Sequence, residues 1–228
     1  MEWTLWLWRK EGIYFGVHSL PLNLETTPEK LFCAFEQNFE NAFLLESSEG
    51  AGKNARFSFV GFEPEKTVKF EDNVVFVGDE AVDAKNPLDA LKAEIPRTTV
   101  AGPSFLGGAV GYFSFEYYRS IENFSSKLID ETHFPDFEFG IFNDAVIFDH
   151  ATGKHSYTYI GKNRLPVIKA ALKDSTSEQD VLKILGEGVS ESRNDFVSKV
   201  EKAKEYIAAG DAFQIVLSRR HSVSFSGN

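Results

Sequence analysis

Hydrophobic residues recur along this chain at two spacings, and the change of spacing separates helical from extended stretches. From Thr27 the period is helical: Leu31, Phe32, Phe35 and Phe39 follow Thr27-Pro28-Glu29-Lys30. A threonine oxygen can accept from the unpaired N–H groups of a first turn, and proline suits the first helical position because no partner awaits its missing N–H. The spacing predicts a helix over 28–39. From Arg56 the period becomes two, and Arg56-Phe57-Ser58-Phe59-Val60-Gly61-Phe62 reads as a strand. Val68-Lys69-Phe70 and Val74-Val75-Phe76-Val77 flank Glu71-Asp72-Asn73, a hairpin with turn-forming residues at its tip.

The same reading continues to the end. Asn86-Pro87 starts a short helix through Leu88 and Leu91. Phe105–Phe115 is apolar but carries Gly107, Gly108 and Gly111, which suits a crowded strand or a bulge. Phe139–Phe148 and His155–Ile160 flank Asp149–Lys154 as a second hairpin, and Leu165–Glu191 reads as a linker or peripheral helix. Asn194 is placed to cap a helix with Phe196, Val200, Ala203 and Ile207 on one face and Gly210 as its stop. Ala212–Ser218 returns to strand. Hairpin-joined strands with helices at intervals predict an α+β class, with antiparallel, β-rich sheet layers and flanking helices. Two domains are expected, 1–190 and 191–228. The second is too short to build a core alone and must pack on the first or on residues outside this chain.

Composition sharpens the picture in two places. Phenylalanine is abundant, 22 residues against one methionine, which fits half-buried pleated surfaces. The formal net charge of −10, with scattered basic residues, argues against nucleic acid and against an anionic membrane surface. No stretch reaches the roughly 20 apolar residues of a membrane span, and Met1–Lys10 is Trp-rich without the form of a signal peptide, so the cytoplasm is the expected location. Cys33, the only cysteine, excludes an intrachain disulfide and is expected as a buried small hydrophobe.

Several familiar chemistries fall away. Gly50-Ala51-Gly52-Lys53-Asn54 lacks the spacing of a phosphate loop, the five histidines show no paired ligand spacing, and no serine sits in a G-x-S-x-G elbow. Leu44-Leu45-Glu46-Ser47 is different. A carboxylate and a hydroxyl at the end of an apolar run suit a small ligand's amino group, although a structural turn is the simpler reading of the residues alone. Arg56 is equally an ion-pair partner for Glu46, a contact for a ligand carboxylate, or a surface residue. Gln214 is an isolated amide among Ile, Val and Leu, expected to be buried and hydrogen-bonded or to line a cavity.

Taken in order, these stretches resemble one family. Leu44-Leu45-Glu46-Ser47 followed by Ala55-Arg56-Phe57-Ser58-Phe59-Val60-Gly61 is similar to the "LLES…ARYSFIG" stretch of anthranilate synthase large subunits. Gly107–Glu116 resembles "GGxVGYxxYD", Phe142–His150 resembles "TDxxVVFDH", and Ala208–Arg220 resembles "xxGDIFQVVLSQR". The resemblance implies the amino-terminal part of the chorismate-utilising enzyme fold. It also implies a reaction: chorismate plus ammonia, delivered from glutamine by an amidotransferase subunit, gives anthranilate and pyruvate with Mg²⁺, in tryptophan biosynthesis. Ser47 with Glu46, joined here by Leu45 and Arg56, would belong to the pocket for L-tryptophan as feedback inhibitor. Gln214 would stand where water-adding relatives and aminodeoxychorismate synthases carry a lysine, which favours direct attack by ammonia. The family's chorismate and Mg²⁺ ligands, its catalytic His and Glu residues and the rest of the tryptophan pocket would lie beyond Asn228, so the chain alone is expected to be inactive. An aminodeoxychorismate synthase component and a non-catalytic amino-acid-sensing module are the alternatives.

Overall fold

A computed structural model describes residues 16–46, 56–97, 107–122, 132–174 and 181–227. The readings on Met1–Lys10, Ser47, 49–54 and Phe105 lie outside the described residues. The chain divides into two compact units, Met1–Thr176 and Ser177–Asn228.

In chain order the first unit contains β1 (Val17–Leu22), α1 (Pro28–Asn38), β2 (Ala42–Leu45), β3 (Phe57–Phe62), β4 (Lys66–Glu71), β5 (Val74–Val77) and β6 (Glu80–Val82). Then follow α2 (Pro87–Glu94), β7 (Gly108–Phe113), a 3₁₀ turn at Phe115–Ser120, β8 (Phe137–Phe142), β9 (Asp144–Asp149), β10 (Lys154–Ile160) and α3 (Leu165–Asp174). The strands form two five-stranded antiparallel sheets, in the orders β1-β10-β9-β3-β2 and β6-β5-β4-β8-β7. The α+β class with antiparallel sheets is therefore as the sequence indicates.

Helix α1 forms for the reasons its sequence suggests. The Thr27 hydroxyl accepts from the Lys30 N–H at 3.3 Å, and Pro28 opens the first turn. Its inward face is Leu31, Ala34 and Phe35, all fully buried, and Leu31 and Phe35 pack with Ile168 and Ala171 of α3 on Val60, Phe62, Val146, Phe148 and Tyr157 of the first sheet. Cys33 lies off that face and is exposed, contrary to the expectation of a buried residue, because only positions three and four apart share a helix stripe. The second sheet has its own core of Val68, Phe70, Val75, Phe137 and Ile141 with Leu91 of α2 and Tyr117 of the 3₁₀ turn.

The stretch read as one strand over Phe139–Phe148 is two. Residues up to Phe142 pair with β4 and β7, and from Asp144 onward the chain pairs with β10 and β3, so the polypeptide changes sheet at Asn143. Phe43, Phe142 and Ala145, with Phe59 and Val110, form a small apolar cluster drawn from both sheets. In the glycine-rich strand, a Cβ at Gly111 would stand 2.0 Å from the Glu138 carbonyl oxygen and 2.7 Å from the Phe139 Cα. That crowding, inferred from the sequence, holds at this position, and it fixes β7 against β8.

The second unit comprises β11 (Lys183–Val189), α4 (Arg193–Ala209) and β12 (His221–Ser226), with β11 and β12 paired antiparallel. The sequence reading put the domain boundary at 190/191; the pairing carries Lys183–Val189 into the later unit. Helix α4 is capped by Ser192 rather than Asn194, the serine accepting from the Asp195 N–H at 3.2 Å. Gly210 ends it in the left-handed region, at φ +81°. Ala212–Ser218 is not a strand: only Ala212, Ile215 and Leu217 are partly covered, and Phe213 is 99% exposed. No described residue of this unit is buried, so there is no covered face to hold such a strand in place.

Candidate functional site

Of the sequence-predicted site residues of the first unit, the described ones, Leu45, Glu46 and Arg56, lie at one end of the first sheet. Strand β2 runs antiparallel to β3 with Leu44 opposite Val60 and Leu45 opposite Phe59. One further step in that register brings Glu46 opposite Ser58. Ser58 shares the face of Val60 and Phe62, the face that α1 and α3 cover, and is completely buried. A hydroxyl there needs partners, because leaving it unpaired costs about 1–3 kcal/mol. It has two: Oγ donates to Glu46 Oε1 at 2.9 Å and lies 2.7 Å from His150 Nε2.

His150 follows β9 in the turn to β10, and its backbone N–H donates to the Arg56 carbonyl at 2.8 Å. Its Nε2 is 4.0 Å from Glu46 Oε1. The cluster is sealed at Ser58 and open above it, with the His150 and Glu46 side chains 42% and 30% exposed. Glu29, in the first turn of α1, completes the charged surroundings. Its carboxyl is held below the ordinary range chiefly by a hydrogen bond from Thr27, then by its own backbone N–H, with a smaller contribution from the charge of His150.

Arg56 does not pair with Glu46. Its Nε and one terminal nitrogen donate to the two Asp149 oxygens at 3.1 and 2.8 Å, and its guanidinium lies 4.7 Å from the centre of the Phe57 ring. The hydrogen bond from Arg56 is the main reason that the Asp149 carboxyl is held far below the usual carboxylate range; Thr152 and the Ala151 N–H add to it. Leu45 points to the opposite face and is 45% exposed. Ser47 lies outside the described residues. Gln214 belongs to the other unit, exposed in the irregular stretch between α4 and β12, so the structure does not give it the buried strand position expected.

Sequence reasoning missed Ser58 and His150 as site residues. The period-two pattern already placed Ser58 on the side of Val60 and Phe62, a polar residue among buried apolar ones, which is a detectable signal. His150 had no comparable signal, since its approach depends on the register of β9 against β3.

A second polar group lies farther along the same face. Asp144, 2% exposed, accepts from Tyr157 Oη at 2.6 Å and from Arg164 Nε at 2.9 Å, and pairs again with a terminal nitrogen of Arg164. Arg164 also donates to the Phe62 and Glu63 carbonyls at 2.8 and 3.0 Å and covers the Phe62 ring at 4.1 Å. Burial, then donation to Asp144 and the charge of that carboxylate, push the Tyr157 hydroxyl far above its ordinary range. Asp144, Tyr157 and Arg164 are all paired with one another, and Asp144 and Tyr157 are buried, so the group is a lock between β9, β10 and the start of α3 rather than a binding site.

Among the described residues, no three His, Cys, Asp or Glu side chains are grouped to hold a metal ion. None of their helices is long and apolar enough to cross a membrane.

The profile of the chorismate binding enzymes matches residues 40–228. Anthranilate synthase component 1 of Methanothermobacter thermautotrophicus is 36% identical over 205 residues, covering 88% of this chain and 43% of that protein. Aminodeoxychorismate synthase component 1 of Bacillus subtilis is 33% identical over 211 residues, covering 83% and 44%. The chain thus spans less than half the length of these two curated relatives. The crystal structure of anthranilate synthase component I from Streptococcus pneumoniae TIGR4 superposes with a TM-score of 0.61 at 24% identity, over 81% of this chain and 46% of that one, and shares the fold.

Proposed function

This chain belongs to the family of chorismate binding enzymes, and from that premise we propose that it is the amino-terminal, tryptophan-sensing part of an anthranilate synthase large subunit. In this reading the completed protein converts chorismate and ammonia to anthranilate and pyruvate, the nitrogen coming from a glutamine amidotransferase subunit. The chain alone is inactive.

Relatives of both the anthranilate and the aminodeoxychorismate branches match over similar lengths, so overall similarity does not choose between them. Gln214 carries the choice. An amide neither removes a proton from water nor forms a covalent bond to the chorismate ring as an amine does, which leaves direct attack by ammonia. The regulatory part of the proposal is supported by the cluster at the end of the first sheet. Glu46 presents a partly exposed carboxylate whose inner oxygen is fixed by Ser58. A ligand ammonium bonded to such a group gains about 1.5–3 kcal/mol, less where water screens it. Leu45 and Ser47 flank that carboxylate in the chain. Arg56 contributes less than the sequence suggested, since Asp149 already takes two of its donors.

Mg²⁺ is implied by the family, but the described residues do not group into a site that fits it. The test is a product assay with chorismate, ammonium and Mg²⁺. The chain alone should form no anthranilate, and the chain co-expressed with the carboxy-terminal half of an anthranilate synthase component 1 should form it. Turnover by the isolated chain, or an aminodeoxychorismate product from the reconstituted pair, would refute the proposal.

A further inference from the structure

The hydrogen bonds around Ser58 have a direction that the chemistry of the three groups sets. An ionised Glu46 carboxylate only accepts, so the single Ser58 proton goes to Glu46 Oε1 at 2.9 Å. The Ser58 oxygen is then left as an acceptor, and the group 2.7 Å away, His150 Nε2, must carry the hydrogen. His150 is thereby the Nε2–H tautomer when neutral, with Nδ1 as its acceptor nitrogen. Ser58 is completely buried.

We infer that Ser58 and His150 are positioning residues for the Glu46 carboxylate, and that the charge on His150 sets how strongly this site holds a ligand amino group. This rests on the tryptophan-site reading above. Neutral His150 supports the chain His150→Ser58→Glu46 without adding charge. Protonated His150 keeps the same hydrogen bond but places a cation 4.0 Å from Glu46, where it competes with the ligand's ammonium. The charged groups facing His150 are Glu46 after β2, Glu29 on α1, and the neighbouring Asp149, itself neutralised by Arg56. Ligand affinity should therefore be higher with His150 neutral than with His150 charged. The regulatory consequence is amino-acid inhibition that is weaker when His150 is charged.

Two measurements test this. In the 228-residue chain labelled with ¹⁵N-histidine, two-bond and three-bond correlations near about pH 8, where histidines are neutral, should show His150 as the Nε2–H tautomer, and Ser58→Ala should return it to a mixture. An Nδ1–H tautomer in the parent chain would overturn the proposed direction. In the reconstituted pair, calorimetry with L-tryptophan should show affinity falling about tenfold in Ser58→Ala, the scale of one lost charge-assisted hydrogen bond. His150→Gln, which keeps a neutral donor, should bind at the parental level but lose the pH dependence. Parental pH dependence in His150→Gln, or parental affinity in Ser58→Ala, would overturn the inference while leaving the tryptophan site standing. Absence of tryptophan binding by the parent pair would overturn the site reading and this inference together.

Discussion

Replacing Arg164 with alanine is expected to destabilise the first unit by about 3 kcal/mol. The residue left behind sets the size of the effect. Asp144 is 2% exposed, and without the guanidinium its carboxylate keeps the Tyr157 hydroxyl but no counter-charge. The Phe62 and Glu63 carbonyls lose their donors, and the Phe62 ring loses its cover. Removing one member of a buried ion pair costs roughly 3–5 kcal/mol. The Arg164 side chain is 21% exposed, so water already screens part of the interaction, and the lower end applies. In a unit of this size that loss lowers the unfolding midpoint by about 6–12 °C. Scanning calorimetry of Arg164→Ala, Asp144→Ala and the double variant would measure it. The double variant should be less destabilised than the two single losses together, because the second substitution removes a charge the first has stranded. A loss below about 1 kcal/mol in Arg164→Ala, or strict additivity in the double variant, would show that the three side chains are not a coupled lock.

Three further outcomes follow from the geometry. Because Arg56 lowers the folded-state pKa of Asp149, the pair's contribution is complete above the unfolded carboxyl value, about 4, and is lost as pH falls below it. Asp149→Asn should therefore be less stable than the parent at neutral pH and nearly indistinguishable from it in strong acid, by urea unfolding at both. Gly111→Ala drives a Cβ into the backbone of β8 and should cost about 3 kcal/mol, whereas Gly108→Ala, with open space at its Cβ, should cost much less; thermal unfolding of the two compares them. Thr27→Ala removes the oxygen that caps α1 and should cost about 1 kcal/mol, restored in large part by Thr27→Ser.

The features legible in the sequence are those decided within a few residues. The β4–β5 hairpin was legible because Asp72 and Asn73 adopt φ of +51° and +61°, values such residues accept at a tight turn. Helices α1 and α2 announced themselves through Thr27-Pro28 and Asn86-Pro87, and both caps are made. What failed depended on distant partners. The change of sheet at Asn143 leaves no local mark, since the residues on either side are equally apolar and only pairing with β4, β7, β3 and β10 separates them. The strand expected at Ala212–Ser218 has apolar residues but no covered surface, and β12 forms later, against β11. At the candidate site, Glu46 was visible as a carboxylate closing an apolar run. Its partners are 12 and, through Ser58, a further 92 positions away in sequence, so only the folded register joins them.

The central claim, that this chain carries the feedback half of an anthranilate synthase large subunit, is tested most directly by titrating the reconstituted pair with L-tryptophan while following anthranilate fluorescence. Inhibition should be pronounced in the parent and strongly weakened in Ser47→Ala and Glu46→Gln, with turnover in the absence of tryptophan retained by both. Equal inhibition in parent and variants would contradict the claim, as would anthranilate formation that tryptophan leaves unchanged.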